Sequence, residues 1–109
     1  MARMVYVEGS YTVSAGRSQV NTFFKRTGEK AVYLHYLNIV TDANTSSAAV
    51  YVDGYKFSPT LGASTTFELG KYQLFDKIPV NDNISVSITA SSASNTTVTV
   101  YAYLEVVTE

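Results

Sequence analysis

A chain of 109 residues with a formal net charge of −1 predicts one domain, and it has no basic surplus for binding a nucleic acid backbone. It has no cysteine, which excludes disulfides and thiol chemistry. Charged residues make up 16% of the chain, below the usual share of about 25%, and serine and threonine take their place.

Short runs of alternating apolar and polar residues open the chain, and a period of two indicates β-strands. We predict strands over residues 3–8, 11–15 and 19–25. In this interpretation Gly9 and Ser10 separate the first two strands, and residues 15–18 and 26–30 have the composition of turns. The start of the chain is therefore typical of a β-domain with short strands.

Residues 31–41 form a run that is apolar at both strand parities. Val32, Leu34 and Tyr36 fall on one parity, whereas Leu37 and Ile39 fall on the other. The β-branched and aromatic content favours a strand, and no cap or charged face supports the helical alternative. A strand that is apolar on both faces is either central and covered twice or in contact with a second subunit. In a two-layer domain we favour the second subunit.

The middle of the chain contains its strongest turn signal. Asp53 and Gly54 stand between two strand-like runs and predict a tight hairpin with positive φ at both turn positions. Before this turn we predict a loop over residues 42–47 and a strand over 48–52. After it we predict a loop over residues 58–64 and short strands over 65–69 and 72–78.

Residues 83–107 contain the clearest alternation and predict a long antiparallel hairpin. One parity is aliphatic in both runs and comprises Ile84, Val86, Ile88 and Ala90, followed by Val98, Val100, Ala102, Leu104 and Val106. The other parity carries serine, threonine, Tyr101 and Tyr103. We therefore expect one face of this segment to be buried and the other to present hydroxyl groups and tyrosine rings.

The pattern as a whole predicts about nine short strands with a turn signal every 8–12 residues and no helix. This favours an all-β, single-domain antiparallel β-sandwich that spans residues 1–109. We expect it to be jelly-roll-like, because long strands at the end of the chain can pair with strands near its start. An immunoglobulin-like sandwich is the alternative, although the cysteine and tryptophan signature of that fold is absent.

The chain offers little for catalysis. His35 is the only histidine, and without cysteine it cannot close a zinc site unless several carboxylates join it. No nucleophile elbow, phosphate-binding glycine loop or zinc-protease motif occurs. Asp42, Asn44 and residues 81–83 are oxygen-rich, but such residues make good turns more often than calcium sites. We expect no enzyme activity, no metal and no cofactor.

Tyrosines are the best candidates for recognition. Tyr101 and Tyr103 share the polar face of the last predicted strand, and Tyr33 and Tyr51 occupy comparable positions in their own strands. Exposed tyrosines can stack on sugar rings or anchor a protein interface, although cross-strand pairing within one sheet is equally expected of them. Because threonine rather than lysine lies between the tyrosines, a subunit interface is favoured. The candidates for an interface or for ligand stacking are Tyr33, His35, Leu37, Tyr51, Tyr101 and Tyr103.

The first residues lack the continuous apolar core of a signal peptide, and no run approaches the roughly 20 apolar residues of a membrane span. We therefore expect the protein to be made in the cytoplasm and not to be exported through a signal peptide. We expect no membrane partner and, from the charge, no nucleic acid partner.

Three stretches carry a resemblance to a known group of proteins. They are KAVYLHYLNIVTDANTSSAAVYVDG, FELGKYQLFDKIPV and SSASNTTVTVYAYLEV. The chain resembles the small β-sandwich decoration, spike and turret proteins that tailed phages and archaeal viruses mount on their capsids. The resemblance implies a leaderless structural protein with a jelly-roll-like fold, usually a trimer or pentamer, that binds a shell by its termini or edge strands.

Two functions follow as hypotheses. The first is a non-enzymatic, self-associating subunit of a virus particle, located in the virion and made in the host cytoplasm. Its partners would be copies of itself and a capsid protein. The second is a carbohydrate- or receptor-binding module, such as a lectin-like adhesin, with a glycan as its ligand. A small hydrolase is the third possibility, but it lacks a site that can be assembled from the sequence.

Overall fold

A computed structural model of the chain describes residues 1–69 and 77–108. Within these ranges nine strands follow one another: β1 Ala2–Val13, β2 Ser18–Lys25, β3 Ala31–Val40, β4 Thr45–Val52, β5 Tyr55–Lys56, β6 Thr66–Leu69, β7 Ile78–Pro79, β8 Asn83–Ala90 and β9 Thr96–Val107. No helix in the described ranges is long and apolar enough to cross a membrane.

The strands form two antiparallel sheets. The first has the order β1-β9-β3-β6, with β7 also paired to β3, and the second has the order β2-β8-β4-β5. Consecutive long strands alternate between the sheets, which is the connectivity of a jelly roll. The first and last strands pair along their whole length, from Ala2 opposite Val107 to Val13 opposite Thr96. The predicted jelly-roll-like sandwich is therefore confirmed, and the immunoglobulin-like alternative is not needed.

The core lies between the two sheets and is built from alternate residues of the long strands. In β8 the fully buried side chains are Ile84, Val86 and Ile88, and in β9 they include Val100 and Leu104. The aliphatic parity predicted for residues 83–107 is thus the buried one. Each such side chain contributes roughly 1.5–3 kcal/mol to the stability of the fold when it is removed from water. Burial of this apolar parity is therefore the main force that holds the two sheets together.

The predicted hairpin between residues 83 and 107 is wrong. β8 pairs with β2 and β4 in the second sheet, whereas β9 pairs with β1 and β3 in the first. The connection over residues 91–95 therefore crosses from one sheet to the other. Alternation specifies which face of a strand is buried, but two strands that face each other across a core have the same pattern as two strands of one hairpin.

Gly9 and Ser10 do not interrupt the first strand, which also corrects the prediction. β1 pairs with β9 without an irregularity on either side of Gly9. A Cβ at Gly9 would lie 2.5 Å from the Tyr11 hydroxyl oxygen and 2.9 Å from the ring carbon that carries it. The glycine therefore leaves space for the Tyr11 ring on the inner face, a device known to stabilise strand glycines. Burial raises the pKa of the Tyr11 hydroxyl.

A β-bulge explains the strand that is apolar at both parities. The register between β3 and β9 shifts between Leu34 and Tyr36, so His35 is an extra residue without an opposite partner. Before the bulge Val32 and Leu34 point into the core, and after it Leu37 and Ile39 do so. The two parities belong to one buried face whose phase changes at His35. The apolar pattern therefore gives no evidence for a second subunit on this strand.

The turn prediction at residues 53–54 is confirmed, since Asp53 has φ of 53° and Gly54 has φ of 83°. Strand β6 begins one residue later than predicted, at Thr66. Of the predicted strand at 72–78, residues 72–76 lie outside the described ranges, and Ile78 opens β7. β6 pairs with one end of β3 and β7 with the other, so both share the same edge.

Candidate interaction surface

Tyrosine rings from three strands meet on the outer face of the first sheet. Register places Tyr6 of β1 opposite Tyr103 of β9, and Tyr103 opposite Tyr36 of β3. The ring centroids of Tyr6 and Tyr103 are 5.2 Å apart, and those of Tyr103 and Tyr36 are 5.8 Å apart. Tyr101 stacks against Tyr6 at 6.4 Å. We call Tyr6, Tyr36, Tyr101 and Tyr103 the tyrosine cluster.

Part of this cluster remains accessible to solvent. Tyr6 is 49% exposed and Tyr103 is 44% exposed, and the neighbouring Met4 is 53% exposed. Cross-strand aromatic pairs stabilise a sheet by roughly 0.2–1 kcal/mol each, which accounts for the ring contacts but does not require rings that are nearly half exposed. Exposed apolar area of this kind, bordered by polar side chains, is typical of a binding surface.

The hydroxyls of Tyr6 and Tyr36 donate hydrogen bonds to carboxylates at the border of the cluster. The Tyr6 hydroxyl donates to Glu8 Oε1 at 2.7 Å, and the Tyr36 hydroxyl donates to Glu68. The Asn38 side-chain amide donates to the Tyr36 hydroxyl and to Glu68, both at 3.3 Å. The hydrogen bond to Glu8 raises the pKa of Tyr6 to about 12, with further contributions from desolvation and from the Glu8 charge.

An ion-paired group borders the cluster beside the bulge. His35 Nε2 lies 2.7 Å from Glu105 Oε1, and Lys77 Nζ lies 3.4 Å from the same oxygen. Lys77 Nζ is also 4.2 Å from the centroid of the Tyr33 ring, within the range of a cation–π contact. The hydrogen bond with His35, helped by the Lys77 charge, lowers the pKa of Glu105 although desolvation acts in the opposite direction. The bulge thus places the only histidine where it pairs with a carboxylate.

The six residues singled out from the sequence fall into three places. Tyr33, His35, Tyr101 and Tyr103 lie on strands β3 and β9 and share the outer face of the first sheet. Leu37 has no exposed surface and belongs to the core, so its assignment to an interface is wrong. The β-bulge before it reverses the phase of β3 and turns its side chain inwards.

Tyr51 belongs to the other side of the molecule, on the outer face of the second sheet. There it borders a shallow cavity of about 260 Å³, which is also lined by Val20, Gly54, Ser85 and Ser87. This cavity does not communicate with the tyrosine cluster, since the core separates the two outer faces. Tyr51 and the cluster therefore belong to two different surfaces.

Sequence reasoning missed two members of the cluster, Tyr6 and Tyr36. Tyr6 alternates with Val5 and Val7 in a predicted strand, so its outward orientation was readable from the sequence. Its position beside Tyr103 depends on the pairing of strands nearly one hundred residues apart, for which the chain carries no local signal. Tyr36 shared the parity of Val32 and Leu34, and only the bulge moves it to the outer face.

In the first oxygen-rich loop, the carboxylate oxygens of Asp42 accept hydrogen bonds from backbone amides and from a hydroxyl. Asp42 accepts from the amides of Asn44 at 2.9 Å and Thr97 at 2.8 Å, and from the Thr96 hydroxyl at 2.5 Å. Desolvation raises the pKa of Asp42, but these hydrogen bonds outweigh it and the net pKa is lowered. The described part of the chain contains no group of three potential metal-ligating side chains. Asp42 thus acts as a tie between the loop before β4 and the start of β9.

Asp53 forms a similar tie at the opposite end of the sandwich. Its carboxylate accepts hydrogen bonds from three successive amides: Asn81 at 2.9 Å, Asp82 at 2.6 Å and Asn83 at 3.1 Å. Burial acts to raise the pKa of Asp53, but the three amides and the Arg26 charge lower it overall. The turn residue of one hairpin therefore holds the segment that leads into β8.

The fold is similar to that of chains from two virus particles and from a bacterial spore appendage. No family model matches the chain, and no curated protein matches it by sequence. A chain of Sulfolobus turreted icosahedral virus has a TM-score of 0.64 and 14% identity, over 98% of this chain and 30% of that one. A chain from the capsid of cyanophage Pam1 has a TM-score of 0.53 and 13% identity, over 97% and 84% of the two chains.

A non-viral chain has a comparable fold. A protein of Bacillus endospore appendages, described as a family of disulfide-linked pili, has a TM-score of 0.58 and 9% identity, over 100% of this chain and 92% of that one. The present chain has no cysteine. At these identities the three likenesses establish the fold alone.

Proposed function

We propose that this protein is a non-enzymatic structural protein, a self-associating subunit of a virus particle that acts as a capsid decoration, spike or minor capsid protein. The observation that carries the proposal is the tyrosine cluster, which presents accessible aromatic area on a broad sheet face. The likeness in fold to chains of two virus particles supports the class of assembly. The protein would be made in the host cytoplasm and reside in the virion.

The chemistry of the cluster suits a contact between protein subunits. Tyrosine is enriched at interfaces because a large ring with few rotatable bonds buries much area at a low cost in entropy. Two hydroxyls of the cluster already donate to carboxylates of the same chain, so burying the rings does not leave those donors unpaired. The subunits would form a trimer or pentamer that also contacts a capsid protein, with neither nucleic acid nor membrane as a partner.

Light scattering of the purified chain over a wide concentration range tests this proposal. We expect a native mass of several subunits for the wild type. In Tyr103→Ala we expect the dissociation constant of the assembly to rise about fivefold or more, because truncating an interfacial tyrosine costs above roughly 1 kcal/mol. Tyr55→Ala is the matched control, since Tyr55 is 80% exposed at the start of β5 in the other sheet.

Thermal unfolding of both variants completes the experiment. A Tyr103→Ala chain that melts near the wild-type temperature while it dissociates supports a contact at the cluster. A wild type that remains a monomer at the highest concentration would count against self-association altogether. Equal association constants for the two variants would show that the subunit contact does not involve the cluster.

A glycan-binding module is the second candidate. The exposed rings of Tyr6 and Tyr103 lie beside the carboxylate of Glu8, an arrangement in which a sugar ring can stack while its hydroxyls donate. A glycan array probed with the monomeric chain tests this function. Binding that is lost in Tyr101→Ala or Tyr103→Ala without loss of folding would favour it over the structural role.

A further inference from the structure

We propose that the open edge of β1 pairs in antiparallel fashion with β1 of a second copy, about a two-fold axis that passes beside Tyr6. The inference rests on the proposed self-association and deepens it by naming the surface and the register. It adds a two-fold contact to the contacts that the tyrosine cluster would make. Its basis is the direction of the backbone groups, the absence of protection along the edge, and the position of charged residues.

The termini establish which backbone groups face outwards. The Met1 amino group donates to the Thr108 carbonyl at 2.6 Å, and the Thr108 amide donates to the Met1 carbonyl at 2.7 Å. In an antiparallel ladder such reciprocal pairs occur at every second residue. The odd-numbered residues of β1 therefore bond to β9, and the even-numbered ones from Ala2 to Thr12 direct their amides and carbonyls to the open side. In the described ranges no strand pairs with that side.

The edge has two charged residues, Arg3 and Glu8, and otherwise lacks the features that usually prevent sheets from joining. β1 is 12 residues long, contains no proline or lysine, and pairs with β9 without a bulge. Protected edges are short, bulged, or marked by lysine and proline. The edge strand β2 of the second sheet illustrates the contrast: it has 8 residues, a register shift between Thr22 and Phe24, and a terminal Lys25. β1 is therefore the edge prepared for pairing.

Side-chain chemistry selects the register. In such a pairing, the side chains of directly opposed residues must lie on the same side of the joined sheet. For a long overlap, the two-fold axis can then pass beside Tyr6, Val7 or Glu8. An axis at Glu8 sets two carboxylates directly opposite each other, and an axis at Val7 makes them diagonal neighbours. An axis at Tyr6 separates the carboxylates by roughly 13 Å, four strand residues, and places Met4 opposite Glu8 of the second copy.

The Tyr6 axis also continues the aromatic row across the two copies. Tyr36, Tyr103 and Tyr6 follow one another towards the open edge, where Tyr6 is the last ring. Pairing about Tyr6 sets this ring beside Tyr6 of the second copy, so that one sheet carries six tyrosines in register. The same contact pairs the outward backbone groups of β1 and brings the two Tyr6 rings side by side, which is the reason that this edge and this register belong together.

Proline variants at two edges test the contact. Met4→Pro removes an amide that faces the open side of β1 and leaves the bonds to β9 intact, since proline is tolerated at such edge positions. Val20→Pro is the matched control on β2: the Ala90 amide donates to the Arg17 carbonyl, so the Val20 amide faces its own open edge. We expect Met4→Pro to halve the native mass measured by light scattering and Val20→Pro to leave it unchanged.

Single cysteines test the register, because the chain has none of its own. Directly opposed residues of a hydrogen-bonded pair have Cα atoms about 5.5 Å apart, which a disulfide can span. After mild oxidation, Tyr6→Cys should give a covalent dimer on a denaturing gel and Glu8→Cys should remain monomeric. The reverse result, or equal yields, would overturn the axis at Tyr6.

The outcomes separate this inference from the proposed function. A wild type that associates, together with a Met4→Pro chain that keeps the full native mass, would overturn pairing at the β1 edge and leave self-association through the cluster standing. A monomeric wild type would overturn both. A cooperative thermal unfolding transition of Met4→Pro near the wild-type temperature confirms that a halved mass reflects lost pairing and not lost folding.

Discussion

Leu37→Ala is expected to lower the free energy of unfolding by about 3 kcal/mol, the largest effect of any single change considered for this chain. Leu37 has no exposed surface and lies on β3, which is paired with β9 on one side and β6 on the other. Truncation to alanine would leave a cavity in the core. Because β3 is held by hydrogen bonds to a strand on each side, the backbone cannot move to fill that cavity. Urea denaturation followed by circular dichroism measures the loss.

The control is Val20→Ala, on an edge strand and 70% exposed, for which we expect a change within about 0.5 kcal/mol. Native mass is measured on the same samples. If Leu37→Ala lost little stability but dissociated the assembly, Leu37 would face a second subunit after all. The phase change at His35 would then be refuted as the explanation of the apolar run.

Asp53→Asn is expected to lower the free energy of unfolding by about 2 kcal/mol at neutral pH. The carboxylate accepts from the amides of Asn81, Asp82 and Asn83, and hydrogen bonds to a charged group contribute more than those between neutral groups. Asparagine keeps the size of the side chain and tolerates the positive φ of the turn, so the variant isolates the charge. Urea denaturation at pH 7 measures the difference.

The pH dependence of that difference gives a sharper test. The pKa of Asp53 is lowered in the folded chain, so its contribution is complete above the unfolded pKa of about 3.9 and is lost as pH falls through the folded value. The wild type should therefore lose its advantage over Asp53→Asn only in acid, below about pH 4. Parallel stability curves down to the most acidic pH would contradict the role of the charge.

Asp82→Asn serves as the control for Asp53. Asp82 pairs with Lys25 at 2.5 Å, but both side chains are more than half exposed. Exposed pairs of this kind contribute at most about 1 kcal/mol, and added salt weakens them. We expect a small effect that declines in high salt, whereas the loss in Asp53→Asn should persist.

The candidate surface illustrates how far local patterns reach. Tyr101 and Tyr103 were correctly placed on an outer face, because their polar parity in β9 is opposite to a continuous aliphatic parity. Alternation alone groups Tyr36 with Val32 and Leu34, whereas the structure turns Tyr36 outwards and Leu37 into the core, because a bulge has no reliable signature in a single sequence. The bulge is stable here since it brings His35 to Glu105 while both halves of β3 keep their apolar residues inside.

Local sequence patterns are sufficient to predict the fold class, the tight turn at Asp53 and Gly54, and the buried parity of the long strands. Each of these depends on neighbours within a few residues, where side-chain alternation and backbone preference act directly. Three features follow only from the packed fold: β8 and β9 lie in different sheets, His35 shifts the phase of β3, and Tyr6 meets Tyr103. Those outcomes depend on closing two sheets over one core, and strands with the same alternation are interchangeable until that core is packed.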